Sequence, residues 1–131
     1  MKRYDEINQF TDHIIAEVTK STFRNGYFKN KTINVYLKKT VRCIDGILYP
    51  GFLTIGNITI AQKMRGKGIF KSFLALIEEK AILQFKGIAV ESILTNKFAE
   101  FFKKGKKWTI VTYNNHDLPC DAFYLFNQTG R

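Results

Sequence analysis

Apolar and polar residues alternate with two different periods in the first half of the chain. Between Ile7 and Val18, apolar residues recur at spacings of three and four, which predicts an amphipathic helix. Further along, the period becomes two and β-branched residues become frequent. This pattern predicts strands over residues 33–38, 41–48 and 52–61.

Pairs of residues that contain glycine are expected to separate these elements. Asn25-Gly26 and Pro50-Gly51 are typical of turns, and Asp45-Gly46 of a turn or bulge. Gly56 interrupts the third strand, and a glycine inside a strand often marks a bulge or the close approach of a ligand.

The second half of the chain predicts a β-α-β unit. Helical spacing of apolar residues predicts a helix over 68–84, and the apolar run at 88–94 predicts a buried strand. Because two strands joined through a helix form a right-handed crossover, the strands on either side of this helix are expected to be parallel neighbours. A short helix after Asn96 and two closing strands, at 108–113 and 122–126, complete the pattern.

Length and composition limit the classes of protein to consider. The 131 residues suit one domain, which we expect to cover 1–131, and the net charge of +10 attracts polyanions such as nucleic acid or phosphorylated cofactors. No window is apolar enough for a membrane helix, and the N-terminus does not resemble a signal peptide. Two distant cysteines and two distant histidines favour a cytoplasmic protein with no metal site.

The turn in front of the second helix carries candidate chemistry. The first turn of a helix has unpaired amides and partial positive charge, so it favours a phosphate. Gly66 and Gly68 would let a phosphate approach the backbone, while Arg65 and Lys67 add charge. The alternative is a basic surface turn without a ligand. The P-loop spacing is absent, and Lys71 replaces the third glycine of the dinucleotide fingerprint.

This turn resembles the coenzyme A loop of the GNAT superfamily of N-acetyltransferases. The run Arg65-Gly66-Lys67-Gly68-Ile69 matches the family's R-G-x-G-I, although Lys63 stands at the family's Q/R position. The resemblance continues through Asn96 to an aromatic, glycine-containing segment and covers roughly residues 52–126. It implies an α/β fold with a mixed central sheet, splayed parallel strands and flanking helices. The N-terminal part departs from the family pattern, because most members begin with a strand and two helices and this chain is expected to have one helix there.

The resemblance also implies a cofactor and the residues that would hold it. Acetyl-CoA would act as co-substrate, with its pantetheine arm in the opening between the splayed strands and its pyrophosphate at the glycine turn. The residues implied are Ile58, Thr59, Ile60, Met64, Arg65, Gly66, Lys67, Gly68, Ile69, Asn96 and Phe102.

Catalytic residues are less well marked. Many relatives use a Glu on the strand before the loop and a Tyr on the short helix, but residues 46–73 contain no carboxylate and Lys103 stands where the Tyr is expected. Glu91 is a carboxylate in an apolar strand, so it is expected to be paired, hydrated or functional. Tyr113 and Tyr124 on the closing strands are alternative acids, although aromatic residues there usually pack.

A second group of basic residues lies outside the loop. It consists of Lys97, Lys103, Lys104, Lys106 and Lys107, interleaved with aromatic residues. Such a group can follow a nucleic-acid backbone, or it can be a solvated helix end.

Three functions therefore remain open at this point. The first is an acetyl-CoA-dependent N-acetyltransferase that acts on a primary amine of a small molecule or protein. The second is a protein of this fold that modifies nucleic acid, such as aminoacyl-tRNA or a base. The third is a catalytically degenerate member that binds coenzyme A or a partner. The acceptor is undetermined, and family resemblance implies a homodimer.

Overall fold

A computed structural model describes residues 2–93, 101–102, 104, 107–112 and 120–126. This part of the chain forms two α-helices and a six-stranded sheet. The helices are α1 (Lys2–Val18) and α2 (Ile69–Ala81). The strands are β1 (Asn25–Lys29), β2 (Ile33–Ile44), β3 (Ile47–Ile60), β4 (Gly87–Ile93), β5 (Thr109–Thr112) and β6 (Cys120–Leu125).

Strands β2 and β3 form one long antiparallel hairpin, which corrects the predicted strand boundaries. Asp45 and Gly46 make its two-residue turn, with φ of 52° and 81°. Asp-Gly suits this turn because both positions need positive φ. The predicted break before Val41 is therefore absent, and Pro50-Gly51 lies inside β3 rather than between two strands.

Two glycines in β3 form bulges in its pairing with β2. The register passes over Gly51, whose φ is 90°, and again over Gly56. The bulge predicted at Gly56 is confirmed. The turn predicted at Asn25-Gly26 is wrong, because these residues pair with β2 as the start of the edge strand β1.

The sheet has the order β1-β2-β3-β4-β6-β5, and only the pair β3 and β4 is parallel within the described strands. This confirms the predicted β-α-β unit. Helix α2 ends at Ala81 rather than at 84, and the next turn leaves Leu83 86% exposed. Neither of the described helices is long and apolar enough to cross a membrane.

Both helices pack on the same face of the sheet, which we call the inner face. Phe10 of α1 and Phe73 of α2 have ring centroids 6.2 Å apart, and both belong to the main core cluster. Val35 and Leu37 of β2 are buried in that cluster. Alternation along each strand therefore directs every second side chain to the opposite, outer face.

Part of the outer face is covered by the far end of the β2–β3 hairpin. There a small cluster of Phe52, Ala89 and Phe123 packs against Ile44 and Tyr49 of the hairpin. The hairpin tip leaves large apolar side chains exposed, namely Val41, Ile47 and Leu48. Cys43 is a free, exposed thiol. The homodimer stays a prediction.

Candidate functional site

The parallel strands β3 and β4 separate at one end, which creates an opening in the sheet. Their pairing runs from Phe52 and Gly87 to Ile55 and Val90. Both strands continue beyond this point, but no further pair joins them in the described residues. The separation begins at the Gly56 bulge, since a bulge bends its strand and increases the local twist.

The glycine turn lies where the open end of β3 leads into α2. A short 3-10 helix, Gln62–Met64, follows β3, and Gly66 and Gly68 have φ of 79° and 76°. Gly68 is the N-cap of α2 and carries no side chain to satisfy the amides of the first turn. A Cβ added at Gly66 or Gly68 would meet no atom within 4 Å, so the space in front of the turn is open.

Basic side chains surround this turn at the surface. Lys63, Arg65 and Lys67 are exposed, and Arg65 Nε donates a hydrogen bond of 3.0 Å to the Ile60 carbonyl. This bond folds the guanidinium back across the end of β3 and leaves its terminal nitrogens available to a further acceptor. The turn thus combines open space, positive charge and helix amides.

The predicted binding residues contribute to this site in different ways. Ile58, Ile60 and Met64 are half-buried and pack against the main core, and the side chain of Ile69 is buried in it. The side chain of Ile69 is therefore withdrawn from a ligand, and its backbone is what it can offer. Thr59 is exposed on the outer face of β3.

Glu91 lies at the point where the two strands separate. Its Oε1 is 3.1 Å from Lys38 Nζ of β2, so the ion pair reaches across β3. The pair forms over Gly56, where an added Cβ would lie 3.9 Å from Glu91 Oε1 and 2.8 Å from Tyr36 Cδ2. The side chains of Lys38 and Glu91 are 33% and 28% exposed. Of the three alternatives given for this carboxylate, the structure shows the paired one, and the partner is Lys38.

The other predicted catalytic and cofactor residues are placed elsewhere or lie outside the described residues. Tyr124 packs on the inner face, where its ring lies 5.9 Å from that of Trp108. It is on the opposite face of the sheet from Glu91, so the structure does not bring these two candidates together. Phe102, which the resemblance places near the cofactor, is buried, and its ring contacts those of Phe70 and Trp108. Asn96 and Tyr113 lie outside the described residues.

The second basic group is only partly described. Lys104 is exposed. Lys107 forms an ion pair with Glu78 of α2, and its Nζ lies 5.0 Å from the ring centroid of Tyr124. Lys107 is therefore engaged in a contact within the chain. Lys97, Lys103 and Lys106 lie outside the described residues, and the role of this group in nucleic-acid binding stays a prediction.

Sequence reasoning did not identify Lys38 and Tyr36 as neighbours of the site. Both lie on β2 and meet the opening only because Gly56 has no side chain. Two features of the sequence could have indicated them: Gly56 in β3 leaves room above the strand, and the polar positions of β2 alternate with its buried ones. Across the described residues, no three His, Cys, Asp or Glu side chains come together as metal ligands would.

No protein-family model and no curated protein sequence matches this chain. Several solved structures share its fold. A Bacillus subtilis acetyltransferase in complex with CoA aligns over 94% of this chain and 93% of its own, with 15% identity and a TM-score of 0.54. Chaetomium thermophilum Naa20, in complex with a bisubstrate analogue, aligns over 88% and 72%, with 14% identity and a TM-score of 0.52.

A third similar structure is a mutant of the AtaT toxin, bound to the C-terminus of the antitoxin AtaR and acetyl-CoA. It aligns over 72% of this chain, with 17% identity and a TM-score of 0.52. This chain spans 58% of the length of that toxin chain. The likeness to these structures lies in the fold, and it confirms the predicted mixed sheet with a parallel β-α-β unit.

Proposed function

Because this chain has the fold of the GNAT acetyltransferases, we propose that it binds acetyl-CoA and transfers the acetyl group to a primary amine. The observation that carries the proposal is the opening between β3 and β4, which lies next to an open, basic glycine turn at the start of α2. Similar structures contain acetyl-CoA or CoA, which supports this choice of co-substrate.

In this proposal the two ends of the co-substrate have separate binding regions. Its pyrophosphate accepts hydrogen bonds from the amides around Gly68 and is neutralised by Arg65 and Lys67. Its pantetheine arm lies along the unpaired edge of β3 at residues 58–60, where backbone groups are free of β4. The thioester then reaches the point where the strands separate.

The chemistry proposed at that point is nucleophilic acyl transfer. The amine nitrogen forms a bond to the thioester carbonyl carbon, and the carbon–sulfur bond breaks to release the thiolate. The nitrogen must lose a proton, which passes to Glu91 directly or through water, and the thiolate gains one from solvent. The register of β3 with β2 skips Gly56, and in this proposal a backbone amide at this bulge stabilises the developing oxyanion.

Incubation with labelled acetyl-CoA tests the proposed function. The protein would be mixed separately with cell protein, polyamines, tRNA and DNA, and the label in each fraction would be measured. Transfer to amine-bearing acceptors is expected. If coenzyme A binds but no fraction gains label, the catalytically degenerate alternative is correct. If coenzyme A does not bind at all, the site assignment itself is wrong.

Glu91→Gln is expected to lower the rate of transfer about 100-fold, because a positioned general base contributes roughly 100- to 10,000-fold in rate. The KM for acetyl-CoA should stay within about twofold, since in this proposal Glu91 contacts the amine and not the co-substrate. Steady-state kinetics with the acceptor found above measure both values. Glu79→Gln, at an exposed position on α2, is the matched control and should behave like the unmodified protein.

An unchanged kcat in Glu91→Gln would remove the carboxylate from the mechanism. The ion pair with Lys38 would then be its structural role, and catalysis would rest on proximity alone, with bulk water accepting the proton.

A further inference from the structure

The part of the outer face nearest the opening is an ordered array of polar and aromatic side chains. Strand registers place three rows of three residues side by side on β1, β2 and β3. We call this array the outer-face platform, and it consists of Asn25, Lys38 and Thr54; Tyr27, Tyr36 and Asn57; and Lys29, Asn34 and Thr59.

Two tyrosines form the centre of the platform. Tyr27 and Tyr36 are directly opposite each other, and their ring centroids are 4.8 Å apart with planes inclined at 46°. Tyr27 is 66% exposed, although tyrosine usually buries most of its ring. Tyr36 rests on Gly56 and is half-buried. The rings therefore present aromatic surface to solvent at the centre of the platform.

Charge on and around the platform is predominantly positive. None of its nine residues is acidic, and Lys29 is exposed beside the tyrosines. Lys31, which follows β1, lies outside the platform, because its Nζ is 3.9 Å from Glu6 Oε2 of α1 and its side chain is directed towards that helix. The Ala61 amide donates to the Thr32 carbonyl at 2.8 Å, which places the start of the basic glycine turn against the same end of the sheet. Lys29 of the platform and the basic glycine turn thus lie at the same end of the sheet.

We propose that the outer-face platform binds a single-stranded polynucleotide, with a base stacked on Tyr27 and Tyr36 and a phosphate contacted by Lys29. Exposed aromatic rings flanked by lysines on a sheet provide the two interactions that single strands require, base stacking and backbone neutralisation. Asn34 and Asn57 flank the rings and can bond base edges.

The platform has a defined position relative to the opening. Tyr36 covers Gly56, and Lys38 at the platform's edge pairs with Glu91. A strand bound on the tyrosines therefore passes beside the point where the sheet separates. This inference goes beyond the proposed function. Because its test contains no acetyl-CoA, failure of polynucleotide binding can be distinguished from failure of acetyl transfer.

Fluorescence anisotropy with a labelled 12-nucleotide RNA, and a DNA of the same sequence, tests the platform. Tyr27→Leu keeps an apolar contact with Tyr36 but removes the stacking surface, so it should weaken binding about 10-fold, in line with the effect of removing one stacked base. Tyr27→Phe keeps the ring and should bind within about twofold of the unmodified protein. Lys29→Ala should reduce the slope of log affinity against log salt by about 0.7.

Several results would overturn the proposal. One is the absence of binding to either strand at physiological salt, and another is unchanged affinity in Tyr27→Leu. A third is loss of all binding in the triple variant Lys103/Lys104/Lys106→Ala while Tyr27→Leu and Lys29→Ala have no effect. That result would place the polynucleotide on the second basic group. Equal affinity for RNA and DNA would support recognition through bases and phosphates, and tighter RNA binding would add the 2′-hydroxyl.

Discussion

Replacing Gly68 with valine is expected to lower the affinity for coenzyme A roughly 100-fold. Gly68 has a φ of 76° at the N-cap of α2, a conformation that a β-branched residue strongly disfavours. Valine would rotate the first amides of the helix away from the pyrophosphate and place its side chain in the open space before them. Losing two charge-assisted hydrogen bonds, at about 1.5 kcal/mol each, corresponds to about 3 kcal/mol or more than 100-fold.

Gly46→Val is a matched control for this variant. Gly46 has a φ of 81° and, like Gly68, no atom within 4 Å of an added Cβ. It lies at the hairpin tip, 14 strand residues or roughly 45 Å from the glycine turn. Both valines should destabilise the fold similarly, but only Gly68→Val should weaken binding in isothermal titration calorimetry. Equal coenzyme A affinity in the two variants would contradict the phosphate site.

Gly87→Ala is expected to lower the free energy of unfolding by about 3 kcal/mol, at the upper end of typical overpacking effects. A Cβ at this position would lie 2.4 Å from Phe52 Cζ and 2.7 Å from the Tyr124 carbonyl oxygen. Phe52 is fully buried and the carbonyl belongs to strand β6, so neither can move without disturbing the sheet. Urea denaturation followed by circular dichroism measures the loss.

Gly26→Ala provides the comparison for the same substitution in a strand. Its Cβ would lie 3.6 Å from Phe23 Cε1, an ordinary contact, so stability should change by less than about 0.5 kcal/mol. Phe52→Leu in the Gly87→Ala background should recover part of the lost stability, since it removes ring atoms from the clash. A Gly87→Ala protein as stable as Gly26→Ala would mean that β4 does not start against Phe52.

The pairing of Glu91 with Lys38 bears on the choice between an active and a degenerate protein. A carboxylate held by a lysine is already satisfied, so its presence does not require catalysis. However, the pair lies at the single point where β3 and β4 separate, and both side chains keep about a third of their surface in contact with solvent. This position is where a proton acceptor would be needed, and the Glu91→Gln measurement separates the two roles.

Local patterns predicted the elements whose signals lie within a short stretch of chain. The helix after the glycine turn, the parallel unit around it and the bulge at Gly56 follow from periodicity and glycine placement, and the structure contains all of them. The structure adds that Gly66 and Gly68 both have a positive φ. A positive φ is a local property that glycine permits wherever it is placed.

The position of the turn between β2 and β3 was ambiguous in the sequence, because two nearby dipeptides that contain glycine both suit a turn. Asp45-Gly46 and Pro50-Gly51 both suit a turn, and only the long pairing of β2 with β3 decides that the first is the turn and the second a bulge. Asn25-Gly26 also suits a turn, but its backbone finds partners in β2. Which backbone groups find partners depends on residues far along the chain, and a local pattern does not contain them.

By itself, the sequence determined the β-α-β unit, the phosphate-suited turn and the resemblance to GNAT acetyltransferases, because these depend on neighbouring residues. Only the tertiary structure decided that Glu91 pairs with Lys38, that Tyr124 lies on the opposite face, and that Tyr27 and Tyr36 form one exposed surface. These relations arise from strand order and register, and a one-residue change of register would send each side chain to the other face.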